Sequence, residues 1–406
     1  MVTDKMIPAF KKAEGGLFSA VQKADVGDVA AKMRENGMAL MSWADPFYPD
    51  PSMPEHVAQA MIQSIEDGQA SHYITPIGSS ELKKALAEKL KKVNGLDVVP
   101  DRNIIITPGS DAGLFFAMLP FIEKGDEVMI VDPSYPNNFQ NVEIMGGVVV
   151  RVPVYAKNGY QFEIEDFEAR LTQKTKMIVL TNPNNPTTAV YRREKLEQLA
   201  QFAIEHDLIV VVDQAFEQPV FDDIEMVTLS SLPGMFERTL TVFSVSKGMG
   251  LSGLRVGYIV AEDHIMDKLY ATAVSVIGAT NTCAQMGAIA AVQDDSFMEK
   301  YFDSFERRRR IVYDGLHDVP GVSMQFPESG FLSWLDVSRL GTENEVAEYL
   351  GKYAKISINP GTPYGEEGRG HIRIVQGVLA REEELKEAVE RMRAALFKLA
   401  KEKGIA

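Results

Sequence analysis

The chain has 406 residues, of which 45% are hydrophobic and 24% are charged, and these proportions are typical of a globular protein and unlike those of a disordered or fibrous one. Because a single core stops growing near roughly 250 to 300 residues, the length predicts one large domain and one smaller domain. Acidic residues outnumber basic ones by 57 to 42, and the net charge of −15 argues against nucleic acid and anionic membranes as partners.

The cysteine content and the N-terminal segment favour a cytoplasmic protein. Cys283 is the only cysteine, which excludes an internal disulfide and a cysteine-based zinc site, and we interpret it as a small buried apolar residue. Residues 1–16 lack the apolar core of a signal peptide. No segment reaches the roughly 20 uninterrupted apolar residues of a membrane span.

From residue 103 onward, short apolar segments alternate with amphipathic helices. The helix predicted at 193–206, for example, places Leu196, Leu199 and Ala203 on one face. Strands that are buried on both faces are almost wholly apolar, and their alternation with helices predicts an α/β fold with a mainly parallel sheet. The predicted strands are 104–107, 127–131, 148–152, 177–180, 208–212 and 239–243.

Near residue 292 the pattern changes to that of a smaller α+β lobe. No linker separates the two parts, so we expect a large domain at 50–292 and a small domain formed by both chain ends, 1–49 with an N-terminal arm and 293–406. We interpret the charged run 307–310 as a solvated or salt-bridged helix face. The other elements predicted in this lobe are strands at 322–326, 331–337, 356–358 and 371–375 and helices at 343–353 and 381–401.

Candidate ligand-binding residues follow the predicted strands, at the edge where α/β sheets bind their ligands. The strand 104–107 runs into the glycine turn 108–113, which opens a helix and presents free N–H groups that suit a phosphate. A plain capped turn is the alternative interpretation. Tyr135 follows the strand 127–131, where its ring could stack on a flat heteroaromatic ligand or simply pack at the rim.

Two further strand ends carry polar groups. The strand 177–180 precedes the loop 181–187, in which prolines stiffen the chain around asparagines such as Asn185. Asp213 ends the apolar strand 208–212. A carboxylate in that place requires a cation or a hydrogen-bond donor, because its desolvation is costly.

The segment 242–258 is the most specific in the chain. It places Lys247 and Arg255 among serines and glycines directly after the strand 239–243. A lysine held beside a cofactor can form a Schiff base, and a lysine whose pKa is lowered by its surroundings can act as a base.

These segments, in this order, resemble those of the class I/II aminotransferases, fold-type I enzymes of the aspartate aminotransferase superfamily, over nearly the whole chain. The resemblance implies a large domain with a mainly parallel, seven-stranded-type sheet flanked by helices, a small α+β domain, and pyridoxal 5'-phosphate (PLP) as cofactor. It implies that Lys247 carries PLP as a Schiff base, that Asp213 pairs with the pyridine nitrogen, and that Asn185 bonds the 3'-oxygen of the ring. The phosphate would be held by Ser110, Asp111, Ala112, Ser244 and Arg255, and Tyr135 would stack on the ring.

Two more positions follow from the resemblance. Tyr73, in the segment 72–78, is similar to the tyrosine that reaches the phosphate of the neighbouring subunit, which implies a homodimer with shared active sites. Arg373, in the segment 371–374, is similar to the arginine that binds the substrate α-carboxylate, a task that suits its planar fork.

The chain departs from the family pattern near the expected cofactor. Phe216 stands where a tyrosine usually bonds the ring 3'-oxygen, so we expect the Lys247 Schiff base to keep its proton to higher pH than in typical relatives. Ala44, behind the bulky Trp43, and Thr188 stand where glycines are common. We expect Trp43 and Ala44 to line and reshape the substrate pocket.

The resemblance predicts a ping-pong transamination between an L-amino acid and a 2-oxo acid. Because Phe216 and Ala44 depart from the pattern, another PLP reaction on the same scaffold is an alternative: β- or γ-elimination, decarboxylation or oxidation of an amino acid. A PLP-sensing regulator is disfavoured, since the resemblance begins near residue 40 and the net charge is −15. The sequence does not identify the amino donor.

Overall fold

The computed structural model describes residues 36–46 and 53–406, together with residues 6, 7 and 10. The predicted N-terminal arm lies almost entirely outside the described residues. The strands are β1 (Ala39–Leu40), β2 (Ile104–Thr107), β3 (Glu127–Asp132), β4 (Val148–Pro153), β5 (Thr175–Thr181), β6 (Ile209–Asp213), β7 (Thr239–Ser244), β8 (Gly257–Val260), β9 (Ser323–Met324), β10 (Leu332–Asp336), β11 (Ile356–Ser357), β12 (Asn359–Pro360) and β13 (His371–Val375). The α-helices are α1 (Glu55–Glu66), α2 (Ser80–Asn94), α3 (Pro100–Asn103), α4 (Ser110–Met118), α5 (Pro136–Met145), α6 (Ile164–Glu168), α7 (Arg193–Glu205), α8 (Asp263–Val276), α9 (Thr282–Gln293), α10 (Met298–Leu316), α11 (Glu343–Tyr353) and α12 (Glu382–Glu402).

The large sheet has seven strands in the order β2-β8-β7-β6-β5-β3-β4. Strand β8 is antiparallel to both of its neighbours, and the remaining strand pairs are parallel. The apolar residues of β2, β3, β5 and β6 are almost all buried, as expected for strands covered on both faces. The predicted α/β class and mainly parallel sheet are therefore confirmed. The sequence did not indicate β8, because Gly257 and its neighbours belong to the glycine-rich segment after Lys247.

Helices cover both faces of this sheet. On one face, Leu196, Leu199 and Ala203 of α7 are fully buried in a core with β3, β5 and β6. On the other face, α4 buries Leu114 and Phe116 against the same strands. The predicted amphipathic helix at 193–206 is confirmed to within one residue.

Strand register brings the candidate residues to one edge of the sheet. Thr181 lies beside Asp213, and Asp213 lies beside Val242. Gly257 at the start of β8 pairs with both Thr107 and Ser244, the last residues of β2 and β7. The segments that follow β2, β5, β6 and β7 therefore begin next to one another.

The C-terminal part contains a four-stranded antiparallel sheet in the order β12-β13-β10-β9, and β1 pairs with β11 in parallel. Helices α10, α11 and α12 pack on this part in a separate core. The strand predicted at 322–326 is shorter, since β9 covers two residues, whereas the helix at 343–353 and the strand at 371–375 are confirmed. The domain boundaries at 49/50 and 292/293 stay predictions.

The charged run 307–310 lies in α10 and forms salt bridges, as predicted, but two of its four arginines are buried. Arg307 and Arg310 are exposed and pair with Glu382 and Glu306. Arg308 and Arg309 are buried. Arg309 forms salt bridges with Asp222 and Glu306, whereas Arg308 donates to backbone carbonyls. Cys283 is partly buried rather than fully buried.

Candidate active site

The segment between β7 and β8 brings Lys247 to the edge of the large sheet where β6 and β7 end. Its Nζ donates a hydrogen bond of 2.7 Å to the backbone carbonyl of Ala44 and lies 5.6 Å from the centre of the Phe216 ring. Burial, and after it the positive charge of Arg373, lower the pKa of the Lys247 amine to about 8. A lysine with this pKa is partly unprotonated near neutral pH, which an attacking amine requires.

Asp213 is the last residue of β6 and is 4% exposed. Its Oδ1 accepts a hydrogen bond from the N–H of Ala215 at 3.1 Å, and within the described residues it forms no ion pair. Burial raises the pKa of Asp213 to about 7, against the opposing effects of the Ala215 N–H and the Lys247 charge. A buried carboxylate with so little compensation fits a protonated nitrogen of a ligand.

A second group of residues forms a cradle at the start of α4. Gly109 adopts φ +85°, a conformation that residues with a side chain rarely take, and a Cβ there would lie 2.3 Å from Nη2 of Arg255. Gly257 likewise permits close packing, since its Cβ would lie 2.6 Å from the N of Ser110. The first N–H groups of α4 have no earlier helical carbonyl to bond. Together with the guanidinium they form a site for a phosphate.

The other predicted phosphate residues border this cradle. Arg255, at φ +53°, donates to the carbonyl of Ser252 and lies 3.8 Å from Oδ2 of Asp111. The Oγ of Ser244 accepts a hydrogen bond of 3.0 Å from the N–H of Ser246. The hydroxyl of Tyr135 donates to Oδ1 of Asp111 at 3.0 Å. These bonds hold the Tyr135 ring, which follows β3, next to the start of α4.

Asn137 is a member of this group that the sequence did not indicate. Its Nδ2 donates to Oδ1 of Asp111 at 2.9 Å and to the Tyr135 hydroxyl at 3.2 Å. Its position two residues after Tyr135 is the only sequence signal for this role. Burial raises the pKa of Tyr135 well above its usual value, and the Asp111 charge adds to this effect. The phenol therefore stays protonated and can keep donating.

Arg373, in β13, is 2% exposed and has only neutral partners among the described residues. Its guanidinium donates to Oδ1 of Asn185 at 3.0 Å, to Oδ1 of Asn359 at 2.8 Å and to the carbonyl of Ser42 at 3.3 Å. Its Nε has no partner. A buried cation without a carboxylate is costly, so this group fits the carboxylate of a ligand. Asn185 comes from the loop after β5 and thus joins the two sheets.

The segment 42–45 lies over Lys247. Ala44 meets the lysine through its backbone carbonyl, a contact that any residue could make, and Trp43 is 44% exposed. The side chain of Asp45 accepts a hydrogen bond from the Ser252 hydroxyl. These contacts place the backbone of Ala44 and the side chain of Asp45 at the site, and the expected effect of Trp43 and Ala44 on the substrate stays a prediction.

Thr188 adopts the left-handed backbone conformation, at φ +66°, which is unfavourable for a β-branched residue. Its Oγ1 accepts a hydrogen bond of 3.3 Å from the N–H of Glu328, and its carbonyl accepts one of 2.8 Å from the Ser329 hydroxyl. The loop thus keeps the backbone shape that a glycine would allow. The replacement leaves Asn185 in place beside Arg373.

Tyr73 lies apart from the other predicted residues, in the loop after α1. Its side chain is 99% exposed. The neighbouring His72 carbonyl accepts a hydrogen bond of 2.8 Å from the Thr282 hydroxyl at the start of α9. Within one chain, therefore, Tyr73 contributes nothing to the cradle.

Comparisons with known proteins give the same architecture. Residues 40–392 match the family "Aminotransferase class I and II". An aspartate aminotransferase of Pyrococcus abyssi is 32% identical and an aromatic-amino-acid aminotransferase 2 of Thermococcus litoralis is 33% identical, each over 86% of this chain and 90% of the relative. An aromatic aminotransferase structure from Pyrococcus horikoshii superposes with a TM-score of 0.85 at 29% identity, covering 93% of this chain and all of that one.

An aspartate aminotransferase structure from Thermus thermophilus, with maleate, also superposes with a TM-score of 0.85, at 28% identity over 96% of this chain and 99% of that one. None of the helices that the structure describes combines the length and apolar character needed to cross a membrane.

The buried carboxylate, the lowered lysine pKa and the cradle at α4 fit the cofactor that this family uses. The chain belongs to the class I and II aminotransferases and is a PLP-dependent enzyme that transfers amino groups between amino acids and 2-oxo acids.

Proposed function

We propose that Lys247 holds the cofactor covalently and moves the proton at the substrate α-carbon. The observation that carries this proposal is the position of the partly buried Lys247 amine at the sheet edge, where its Nζ donates to the Ala44 carbonyl at 2.7 Å. The lowered pKa, about 8, and the charges of Asp213 and Arg373 near this amine agree with it. When bound, PLP supplies an electron sink for the electrons that the departing α-proton leaves behind. The lysine amine, once released, is the base that accepts this proton and the acid that returns it.

Asp213 and the cradle would hold the cofactor in place. The raised pKa of Asp213, about 7, falls again when a cation is placed beside the carboxylate, so the pair keeps the pyridine nitrogen protonated. Arg255, Ser110, Ser244 and the first N–H groups of α4 would bind the phosphate. Tyr135 would stack on the ring, because its hydroxyl is fixed by Asp111. Asn185 would bond the ring 3'-oxygen through its Nδ2, since its Oδ1 already accepts from Arg373.

Arg373 would bind the substrate α-carboxylate. Its guanidinium is buried, has only neutral acceptors among the described residues, and retains an Nε without a partner. A carboxylate supplies the missing negative charge and a bidentate partner. Because Asn185 bonds Arg373, the carboxylate site lies next to the loop that would hold the ring oxygen.

The amino donors to test first are L-aspartate and L-phenylalanine. The relatives named above are aspartate and aromatic aminotransferases, so these two substrates represent the acidic and the aromatic side chain.

A homodimer with shared sites would complete the cradle. Tyr73 is almost fully exposed, and so are large parts of Ile62 and Ile65 on α1, which leads into the same loop. Contiguous exposed apolar side chains mark association surfaces. Under this proposal the Tyr73 hydroxyl binds the phosphate held by the partner chain. The cytoplasmic location stays a prediction of the sequence.

Mixed dimers test this shared site. A Tyr73→Ala chain and a Lys247→Ala chain, each inactive or nearly so, are mixed under conditions that exchange subunits. If Tyr73 acts across the dimer, one site of each mixed dimer is complete and activity returns. If activity stays at the sum of the two separate variants while mixed dimers are present, Tyr73 does not act on the partner's cofactor.

The half-reaction tests the catalytic proposal. The protein is loaded with PLP, and its absorbance near roughly 410 to 430 nm is followed after L-aspartate or L-phenylalanine is added without any oxo acid. We expect the band to disappear with formation of one equivalent of 2-oxo acid per chain. The Lys247→Ala variant should lack both the band and the product, whereas Lys176→Ala, at a surface ion pair with Asp126, should behave as the unmodified enzyme. Product formed over many turnovers without an acceptor would instead indicate a lyase, decarboxylase or oxidase.

A further inference from the structure

Asp132, the last residue of β3, holds a loop that comes from the other sheet. Its Oδ2 accepts a hydrogen bond of 2.9 Å from the N–H of Glu366, and its Oδ1 accepts one of 3.1 Å from the N–H of Glu367. Arg151, on the neighbouring strand β4, donates to Oδ2 at 2.9 Å. We call this group, Asp132 with Arg151 and the two N–H groups, the Asp132 anchor. Asp132 is 1% exposed, so these bonds are shielded from water.

The anchored loop is the connection between β12 and β13. Across these strands Asn359 pairs with Arg373, and Oδ1 of Asn359 also accepts from the Arg373 guanidinium at 2.8 Å. The anchor therefore holds the loop between β12 and β13. These strands carry Arg373, the proposed carboxylate-binding residue, and Asn359, one of its partners. Its position at the end of β3 fixes that loop against the large sheet.

The β12–β13 loop packs so closely on Asp132 that position 365 has no space for a side chain. Gly365 has φ +129°, and a Cβ there would lie 2.0 Å from Oδ1 of Asp132. The N–H of Ser134 donates to the carbonyl of Tyr364 at 2.8 Å, one residue earlier in the loop. Only a residue without a side chain at 365 lets both N–H groups that follow it reach the carboxylate.

The loop also carries the ring on which Arg373 rests. Tyr364 is fully buried, and the centre of its ring lies 5.0 Å from Cζ of Arg373. A cation over an aromatic face is held electrostatically, and more strongly when it is desolvated. The Tyr364 hydroxyl and the Arg373 Nε are both buried without a partner. Two unpartnered polar atoms on neighbouring buried side chains mark this as a place prepared for a polar ligand group.

We propose that Asp132 is a positioning residue for the substrate carboxylate: it anchors the β12–β13 loop so that Tyr364 stays against Arg373 and Arg373 stays bonded to Asn185. The proposal rests on the proposed role of Arg373. Asn185 lies in the loop that follows β5 of the large sheet, and Arg373 lies in β13 of the small one. Their hydrogen bond of 3.0 Å requires the two sheets to keep their relative position. The bonds of Asp132 to Arg151 and to the Glu366 and Glu367 N–H groups hold the two sheets in that position.

The test compares Asp132→Asn with Asp126→Asn. Asp126 lies directly before the same strand, at its opposite end, and pairs with Lys176. The asparagine at 132 retains the shape but directs an NH2 donor at groups that are themselves donors, so the loop loosens. With the better of L-aspartate and L-phenylalanine as donor, we expect KM to rise on the order of tenfold while kcat stays within about twofold. PLP affinity, measured by titrating apoprotein, should also stay within about twofold.

A second variant guards against a folding defect at Asp132. Gly365→Ala displaces the loop by its Cβ and leaves Asp132 intact, so it should raise KM in the same direction with PLP affinity unchanged. Two outcomes overturn the positioning role. One is a KM that stays unchanged in the folded Asp132→Asn and Gly365→Ala variants. The other is a rise in KM that comes with equal falls in kcat and in PLP affinity. Asp126→Asn should match the unmodified enzyme in every measurement.

Arg373→Lys separates this proposal from the one on which it rests. Lysine lacks the planar fork, so KM should rise more than in Asp132→Asn. If Arg373→Lys changes KM and Asp132→Asn does not, the carboxylate site stands and the anchor fails. If Arg373→Lys leaves KM unchanged, the carboxylate is bound elsewhere and the proposed role of Arg373 fails first.

Discussion

Two carboxylates at the same edge of the large sheet have opposite surroundings. Asp132 ends β3 and Asp213 ends β6, with β5 between these strands, and both are almost fully buried. Asp132 receives two backbone N–H groups and the Arg151 guanidinium, whereas Asp213 receives a single N–H, from Ala215. Burial raises the pKa of each, and that of Asp213 reaches about 7.

The difference separates a carboxylate that the chain itself stabilises from one that we propose to bind a ligand. Burying a charge is unfavourable unless hydrogen bonds and an opposite charge compensate it. At Asp132 the chain provides both, so the residue is complete without any ligand. At Asp213 the described residues provide only the Ala215 N–H and the more distant charge of Lys247. A protonated ring nitrogen would supply an ion-pair partner, so cofactor binding would offset a destabilising feature of the apoprotein.

The largest expected difference between the two residues is in turnover. Asp213→Asn removes the charge that would keep the pyridine nitrogen protonated, so we expect kcat/KM to fall about a thousandfold, on the order of 4 kcal/mol in the barrier. Asp132→Asn should keep kcat nearly unchanged. Steady-state kinetics of the two PLP-loaded variants measure this. Activity of Asp213→Asn within tenfold of the unmodified enzyme would contradict the assignment of Asp213 to the ring nitrogen.

The second difference is in the stability of the apoprotein, where pH gives the sign. The pKa of Asp213 is about 7 in the folded chain and 3.8 for an ordinary aspartate, so the folded form binds more protons between these values. Stability must then fall as pH rises from about 4 to about 7. An asparagine side chain cannot ionise, so the Asp213→Asn apoprotein should lack this fall and gain up to about 4 kcal/mol over the unmodified apoprotein at pH 8.

Urea denaturation of both apoproteins at pH 5 and pH 8 makes the measurement. An Asp213→Asn stability gain that is the same at both pH values would show that the carboxylate is not the source of the pH dependence. Asp126→Asn controls for the loss of a carboxylate at a partly exposed ion pair.

The Asp132 anchor predicts that Asp132→Asn lowers the stability of the apoprotein, whereas Asp213→Asn raises it. Asp132→Asn should destabilise the apoprotein by about 1 to 3 kcal/mol, because the new NH2 group faces the N–H groups of Glu366 and Glu367 and leaves one of them unpaired. The same urea curves at pH 8 report it. An Asp132→Asn apoprotein that is as stable as the unmodified one would mean that the loop satisfies its N–H groups in another way.

The sequence predicted the strands and Asp213 for the same reason. A run such as 208–212 is apolar because it is buried on both faces, and a carboxylate at its end is conspicuous. Strand β8 was missed because glycines in the segment 242–258 signal a turn, although Gly257 is required there by the closeness of Ser110. Its antiparallel direction depends on pairing with both β2 and β7, which no local pattern records.

The Asp132 anchor and the partners of Arg373 lay beyond sequence analysis. Asp132 ends an apolar strand as Asp213 does, and this signal could have identified it as a buried carboxylate. Whether such a carboxylate is compensated depends on residues more than 200 positions away, Glu366 and Glu367. The bond between Arg373 and Asn185 likewise depends on the packing of one sheet on the other. Patterns along a chain do not contain those relations.

A smaller effect concerns Lys247, whose positive charge lowers the pKa of Asp213. Its pKa of about 8 predicts that the rate at which the apoprotein takes up PLP rises about tenfold per pH unit below 8 and levels off above it, because only the unprotonated amine attacks. Stopped-flow absorbance between pH 6 and 9 follows this. A midpoint near 10 would show that burial does not lower the lysine pKa.

The smallest effect is expected at Phe216, which lies three residues after Asp213 and packs on Phe331 with its ring 5.6 Å from the Lys247 Nζ. Phe216→Tyr adds a hydroxyl that can donate to the ring 3'-oxygen. This hydroxyl would compete for that oxygen with the protonated Lys247 Schiff base. We expect the pH midpoint of the cofactor's visible absorbance change to fall by up to about one pH unit, the equivalent of one hydrogen bond. Phe331→Tyr, which adds a hydroxyl to the neighbouring ring of the same pair, is the matched control and should leave the midpoint in place. If the midpoint does not move in Phe216→Tyr, the added hydroxyl does not bond the ring 3'-oxygen, and the residue at 216 does not influence that oxygen.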